Sequence, residues 1–224
     1  MRSRYSERAA RLAGSDVYSP ANRSYQFAIQ RRQRVLVDLL HSERLWPLQD
    51  KTILEVGCGN GGVLTEMLEL GANPGHLHGA DLLVERVASA RVRLPHLPLT
   101  CASGARLPYP EDTFDIILQF TVFSSILNRT LCYTVARELL RVLRPGGCIL
   151  WYDFWINPVN KQTRGISPAE IKEYFSSSRI EFKRITLAPP IARRMVPLSW
   201  PAAVLLEKMK IFNTHYLAAI RPIS

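Results

Sequence analysis

The feature that most constrains this chain is the run Ile53-Leu54-Glu55-Val56-Gly57-Cys58-Gly59-Asn60-Gly61-Gly62. A short, mostly apolar stretch ends on alternating glycines, and a helical pattern over 63–70 follows, closed by Gly71. Glycine turns through positive φ without penalty and lets a ligand approach the backbone with no Cβ in the way. Strand, glycine turn and helix in that order begin a βαβ unit, and such units assemble into parallel sheets.

The rest of the central sequence continues the alternation. Further strands are expected over 77–81, 97–102, 114–120 and 148–153, with helices over 83–93 and 129–143. The stretch 114–120 is mostly apolar, as a strand covered on both faces must be. Pro145-Gly146-Gly147 is expected to stop the second of those helices. A helix over 21–44 precedes the core; its stripe is Tyr25, Ala28, Ile29, Val35, Leu36, Leu39 and Leu40. After residue 157 the regularity fades. Ser167-Pro168-Ala169-Glu170 reads as a capped helix start, and 180–187 and 216–221 read as strands. The whole reads as an α/β chain on a doubly wound, parallel sheet.

A length of 224 residues suits one domain. The expected division is a helical lid over 1–50, a cofactor-binding core over 51–157 and a substrate-side half over 158–224. The net charge of +10 sits at the two ends: residues 1–50 carry +4, residues 51–178 are neutral, and residues 179–224 carry +6. Such ends suit an anionic substrate or membrane surface, or are simply solvated. None of the four cysteines, Cys58, Cys101, Cys132 and Cys148, stands at CxxC spacing, so no metal site is expected. Reduced thiols and the lack of a secretory pattern point to a cytoplasmic setting. No apolar run has the length of a membrane span.

Several residues have the character of site groups. Glu55 lies in a strand position where structure alone would favour an apolar side chain. Asp81 ends the second strand, where an acid can bind ribose hydroxyls. Asp153 ends the fifth strand, as a general base or as a loop cap. His215, before the last strand, is a second candidate base or a structural histidine. Tyr18 and Tyr25 precede the core as lid or as packing residues, and Trp155 and Trp200 are candidate substrate contacts. The segment 189–212 mixes apolar, tryptophan and basic residues. It suits a cap over the acceptor pocket, touching an anionic or membrane-borne substrate, or else a helix packed on the sheet edge.

From 52 to 152 the chain resembles the class I methyltransferases, of the small-molecule type similar to the ubiquinone and menaquinone biosynthesis enzymes. The resemblance is carried by ILEVGCGNG, the acid at Asp81, LPYPEDTFD and LRVLRPGG, in that order. It implies a Rossmann-like, mostly parallel sheet of about seven strands with an antiparallel last strand, an N-terminal helix and a C-terminal cap insertion. It implies S-adenosyl-L-methionine as cofactor, with S-adenosyl-L-homocysteine as product. Gly57, Cys58, Gly59, Asn60 and Gly61 would line the methionine portion with Glu55 supporting them. Asp81 would take the ribose, Leu82, Ser103, Gly104 and Ala105 would border the adenine, and Gln119 and Phe120 would face the methionine end. Ser103 stands where the family usually has an aspartate, which weakens the expected adenine contact. A nicotinamide-binding Rossmann protein shares the glycine turn, but Glu55 and the later motifs go against it.

The expected acceptor is a small molecule: a glycan, a lipid-linked intermediate or a secondary-metabolite hydroxyl. A nucleic-acid methyltransferase fits less well. The charge sits at the ends rather than in a stripe with interleaved aromatics, and Gln119-Phe120-Thr121-Val122 lacks the signature of amino-group methylation. A non-catalytic cofactor-binding partner stays open, and the sequence sets no oligomeric state.

Overall fold

The structure is a computed structural model and describes residues 19, 21–156 and 163–223. Tyr18 therefore lies outside the described residues. Among those described, one seven-stranded sheet runs through the molecule. Its strands are β1 (Ile53–Val56), β2 (Leu77–Asp81), β3 (Leu99–Cys101), β4 (Phe114–Phe120), β5 (Leu143–Phe154), β6 (Ser178–Leu187) and β7 (Asn213–Pro222). The order across the sheet is β3-β2-β1-β4-β5-β7-β6. The first five strands are mutually parallel, and β7 runs antiparallel to both β5 and β6. This is the expected doubly wound sheet with an antiparallel last strand.

Helices α1 (Arg23–Ser42), α2 (Gly62–Glu69) and α3 (Val84–Arg93) cover one face. There Leu36, Leu39, Leu40, Leu64, Met67 and Val87 pack against Ile53, Leu118 and Leu150. Helices α4 (Arg129–Val142) and α5 (Pro168–Tyr174) cover the other face, where Val135, Leu139 and Ile171 meet Leu54, Ile117 and Trp151. Strands buried on both faces explain the nearly continuous apolar runs of β1 and β4. Ser167 accepts from Glu170 N–H at the start of α5, the cap the sequence suggests, and Asn22 accepts from Ser24 and Tyr25 N–H at the start of α1.

Three local expectations change. Pro145-Gly146-Gly147 does not separate helix from strand: β5 begins at Leu143, directly after α4, and the three residues lie inside it. The register against β4 jumps there, from Phe114–Leu143 to Ile116–Cys148. An irregular stretch lets a sheet hold proline and glycine without breaking the ladder. Second, Phe27 is 1% exposed although it falls outside the expected stripe of α1. It faces a third apolar cluster, formed by two helices inserted between β6 and β7. These are α6 (Pro189–Leu198) and α7 (Trp200–Lys208), which contribute Ala192, Val196 and Ala203. A helix buried on two sides has no single stripe to read. Third, Arg32, placed by sequence among the polar positions of α1, points inward and is covered.

Candidate active site

Open α/β sheets bind ligands beyond the carboxyl ends of their strands, at the point where the strand order reverses. Here that point lies between β1 and β4, and the glycine turn follows β1. Gly57, Gly59 and Gly61 all have positive φ. Each is held differently. A Cβ at Gly57 would meet Val122 at 2.3 Å, and one at Gly61 would meet Leu94 at 2.6 Å. A Cβ at Gly59 would meet only the tip of Arg86, at 3.8 Å. Gly57 and Gly61 are thus packing positions, and Gly59 faces open space.

Asp81 fastens this turn. Its carboxylate accepts from Gly59 N–H and from Leu83 N–H, both at 2.9 Å. Ala80 carbonyl accepts from Gly57 and Cys58 N–H. Leu82, beside Asp81, is 40% exposed, an apolar side chain left uncovered at the strand end. Ser103 Oγ accepts from Ala105 N–H and shapes the turn that carries Gly104. Cys58 is buried, and burial pushes its thiol well up, so it is not a reactive thiolate. Asn60 is exposed at the tip of the turn.

Beneath the turn, Glu55 is buried with Oε2 lacking a hydrogen-bond partner. Burial pushes its pKa up to about 8; Arg32 opposes the rise, and Glu66 and Asp81 add to it. Gln119 is also fully buried: its Oε1 accepts from Val122 and Phe123 N–H, while Nε2 has no partner. Phe120 packs against Tyr152, and the Arg32 guanidinium lies over both rings, 5.2 and 5.4 Å from their centroids. Arg32 also pairs with Glu66 at 2.5 Å. An unpaired acceptor at Glu55, an unpaired donor at Gln119, an open glycine position and an exposed leucine next to a carboxylate suit a ligand with an amino-acid end, a ribose and a flat ring.

A second space opens beside the first. A cavity of about 340 Å³ lies between α1, the ends of β4 and β5, and α6. Thr121 and Ser124 line it, while Val122 between them packs onto Gly57. The loop after β4 is therefore a shared wall between glycine turn and cavity. Tyr25, Arg32, Tyr152, Phe154, Thr186 and Arg193 also line it. Thr121 and Thr186 have φ of 60° and 66°. Left-handed backbone at β-branched residues is strained, and such strain collects at functional sites. Tyr152 Oη and Thr186 Oγ1 share a 2.9 Å hydrogen bond that ties the two sides together.

The two candidate bases are placed apart. His215 lines the cavity, stacked on Tyr152, with Nδ1 3.0 Å from Thr214 Oγ1. Burial, with Arg32 nearby, pushes its pKa down to about 3, so the imidazole is neutral. Asp153 is buried and accepts from Ser124 N–H at 3.0 Å and its neighbour Phe154 N–H at 2.9 Å. Burial pushes its pKa up to about 6. It braces the loop that walls the cavity. Tyr25 reaches the cavity; Trp155 does not line it, donating instead to Asn213 carbonyl with Arg184 over its ring. Trp200 meets Phe27 edge-on inside the cap cluster. Arg32, Thr121 and Thr186 were not singled out in the sequence. Arg32 alone carried a signal, since it stands between Ile29 and Leu36 at helical spacing.

The profile of the protein family described as "Methyltransferase domain" matches residues 53–147. An uncharacterized methyltransferase of Mycobacterium avium is 30% identical over 125 residues, 52% of this chain and 45% of that one. The phthiotriol/phenolphthiotriol dimycocerosates methyltransferase 1 of Mycobacterium ulcerans is 32% identical over 123 residues, 51% of this chain and 41% of that one. The chain thus spans about half the length of these curated relatives. A solved S-adenosylmethionine-dependent methyltransferase from Mesorhizobium loti shares the fold, with TM-score 0.60 and 18% identity over 82% of this chain and 96% of the other. Residues 53–147, which carry the glycine turn and Asp81, thus match a methyltransferase domain, on a sheet whose fold is that of the solved S-adenosylmethionine-dependent methyltransferase.

Proposed function

We propose that this chain transfers a methyl group from S-adenosylmethionine to a small-molecule acceptor held in the cavity beside the glycine turn. One observation carries the reading: the loop of Thr121, Val122 and Ser124 packs on Gly57 with one residue and lines the cavity with its neighbours. Cofactor and acceptor then share a wall, as a direct transfer requires.

The bound cofactor supplies a methyl group on a sulfonium, with a neutral thioether as leaving group. Gly59, Glu55 and Gln119 would hold the methionine end, Asp81 the ribose, and Leu82 with Ser103 and Gly104 the adenine. The chain's remaining work is to orient the acceptor and keep water out, which can supply most of the rate. No carboxylate lines the cavity among the described residues. A neutral His215 can accept a hydrogen bond from an acceptor hydroxyl but is a weak proton acceptor. Asp153 acts through Ser124 as a positioning residue. The described parts serve one domain: α1 as lid, the five parallel strands as cofactor core, and 189–212 as cap.

Calorimetry tests the cofactor half of this reading. Wild type should bind S-adenosylmethionine, and Asp81→Ala should weaken that binding by about 1–3 kcal/mol, the range for losing charge-assisted hydrogen bonds. Stabilisation by NADH and not by S-adenosylmethionine would overturn the reading at its root. Methyl transfer from labelled cofactor to a panel of glycan, lipid-linked and aromatic hydroxyl acceptors tests the other half.

A further inference from the structure

The cap carries an outer surface unlike the rest of the molecule. Of the twelve large apolar side chains that stand exposed among the described residues, five fall within 198–212: Leu198, Leu205, Met209, Ile211 and Phe212. Leu198 is 81% exposed, Leu205 64% and Ile211 63%, so these are not grazing exposures. On α7 the uncovered positions Pro201, Leu205 and Lys208 recur at helical spacing and share a face, while Ala203 and Glu207 are buried. Isolated exposed leucines need no explanation, but a cluster does.

The charges around the cluster have one sign. Arg193, Arg194, Lys208 and Lys210 are all exposed. The one acid between 189 and 212 is Glu207, which is buried and paired with Arg31 of α1. The exposed side chains of 189–212 are therefore all cationic or apolar, the combination that seats a helix in the headgroup layer of an anionic bilayer. Arg193 also lines the cavity, so the surface reaches the mouth of the proposed acceptor site.

We propose that residues 198–212 of the cap dock on an anionic lipid surface, with the cavity mouth beside the headgroups, and that the acceptor is a bilayer-borne amphiphile. Cations neutralised on the inside by Glu207 and left bare on the outside set the orientation. The docking itself is independent of methyl transfer; the acceptor class rests on that proposed reaction.

The test uses the full chain with vesicles of phosphatidylcholine alone or with added phosphatidylglycerol, at low and high salt, with neither cofactor nor acceptor. Sedimentation should show binding to the anionic vesicles that fades with salt. Lys208→Glu/Lys210→Glu should weaken it by at least about tenfold, since each basic residue near such a surface contributes roughly a factor of five. Leu205→Glu/Met209→Glu should weaken it too, while Arg137→Glu/Lys172→Glu, a reversal on α4 and α5, should leave it unchanged. A polarity-sensitive dye on Leu205→Cys, in a Cys101→Ser background, should shift to the blue on binding. The same dye on native Cys101, exposed at the far sheet edge, should not. No binding to either vesicle would overturn the proposal. So would anionic binding indifferent to Leu205→Glu/Met209→Glu, which marks plain electrostatics, or self-association through the same residues, which marks a contact between copies. Loss of cofactor binding in calorimetry, with docking intact, would strike the methyl-transfer reading alone.

Discussion

At the scale of single residues, the three glycines of the turn separate by what surrounds them. Gly57→Ala forces a Cβ into Val122 and Gly61→Ala forces one into Leu94, and both positions hold positive φ. Each should destabilise the fold by about 1–3 kcal/mol, the range for overpacking, seen as a lower midpoint in denaturant. Gly59→Asp should behave oppositely. Aspartate tolerates left-handed backbone better than most residues, and its Cβ would meet only the tip of Arg86, so the midpoint should fall less. Its carboxylate would occupy the open position, and S-adenosylmethionine binding should vanish in calorimetry. Unchanged affinity would mean that the turn is not the cofactor site.

Glu55 makes a pH-dependent statement of its own. Its pKa in the folded chain, about 8, lies above the ordinary 4.5, because burial disfavours the carboxylate. Stability tied to Glu55 is thus fully present below pH 4.5 and lost as pH rises through about 8. Melting temperatures of wild type and Glu55→Gln should diverge between about pH 4.5 and about pH 8, the wild type falling relative to the variant, with no further divergence at higher pH. Parallel curves would show that the carboxyl has no raised pKa. These residues were also the most legible in the sequence. Gly57, Gly59, Gly61, Glu55 and Asp81 stand close together along the chain, and short spacing can be read without a fold. Arg32, Thr121 and Thr186 reach the cavity from α1, the end of β4 and the end of β6, and no local pattern links them.

At the scale of elements, the parallel strands and their helices follow from periodicity, while the joins do not. The boundary between α4 and β5 was misplaced because Pro145-Gly146-Gly147 has the chemistry of a stop and the geometry of a sheet irregularity. Only the neighbouring strand reveals which applies. Phe27 was missed because its partners lie in α6 and α7, far along the chain. That contact should matter: Phe27→Ala leaves a void against Trp200 and Val196, at a cost of about 3–5 kcal/mol if the cluster cannot collapse. The loss should concentrate in the cap. Hydrogen exchange over 189–208 should accelerate more than over β1 and β4. Uniform acceleration would mean that the cap has no stability separate from the sheet.

At the scale of the molecule, the sheet order and its antiparallel closing strand came within reach because the motifs fix a known architecture. How the two ends of the chain meet did not. Glu43, at the end of α1, is 5% exposed and pairs with Arg179 of β6 and Arg221 of β7, each at 2.6 Å. Removing it strands two guanidiniums, both of which still reach water. Glu43→Ala should therefore cost about 2–3 kcal/mol, short of the value for a fully buried pair. If 1–224 is one cooperative domain, circular dichroism and tryptophan fluorescence should still report one coincident transition. Two separated transitions would divide the chain into parts.

The ion pair between Arg31 and Glu207 joins residues 176 positions apart, and Phe27 waits as long for Trp200. During synthesis at roughly 5–20 residues per second, α1 leaves the ribosome some ten to thirty seconds before its partners in the cap exist. In that interval Phe27 has nothing to cover it. Helix α1 is made well before α6 and α7 and is fastened to them only once they exist, so the cavity stays open on that side of the nascent chain until then. A chain stalled after β5 would already cover Leu36, Leu39 and Leu40 of α1 but leave Phe27 bare, and the cavity would lack the wall that α6 supplies.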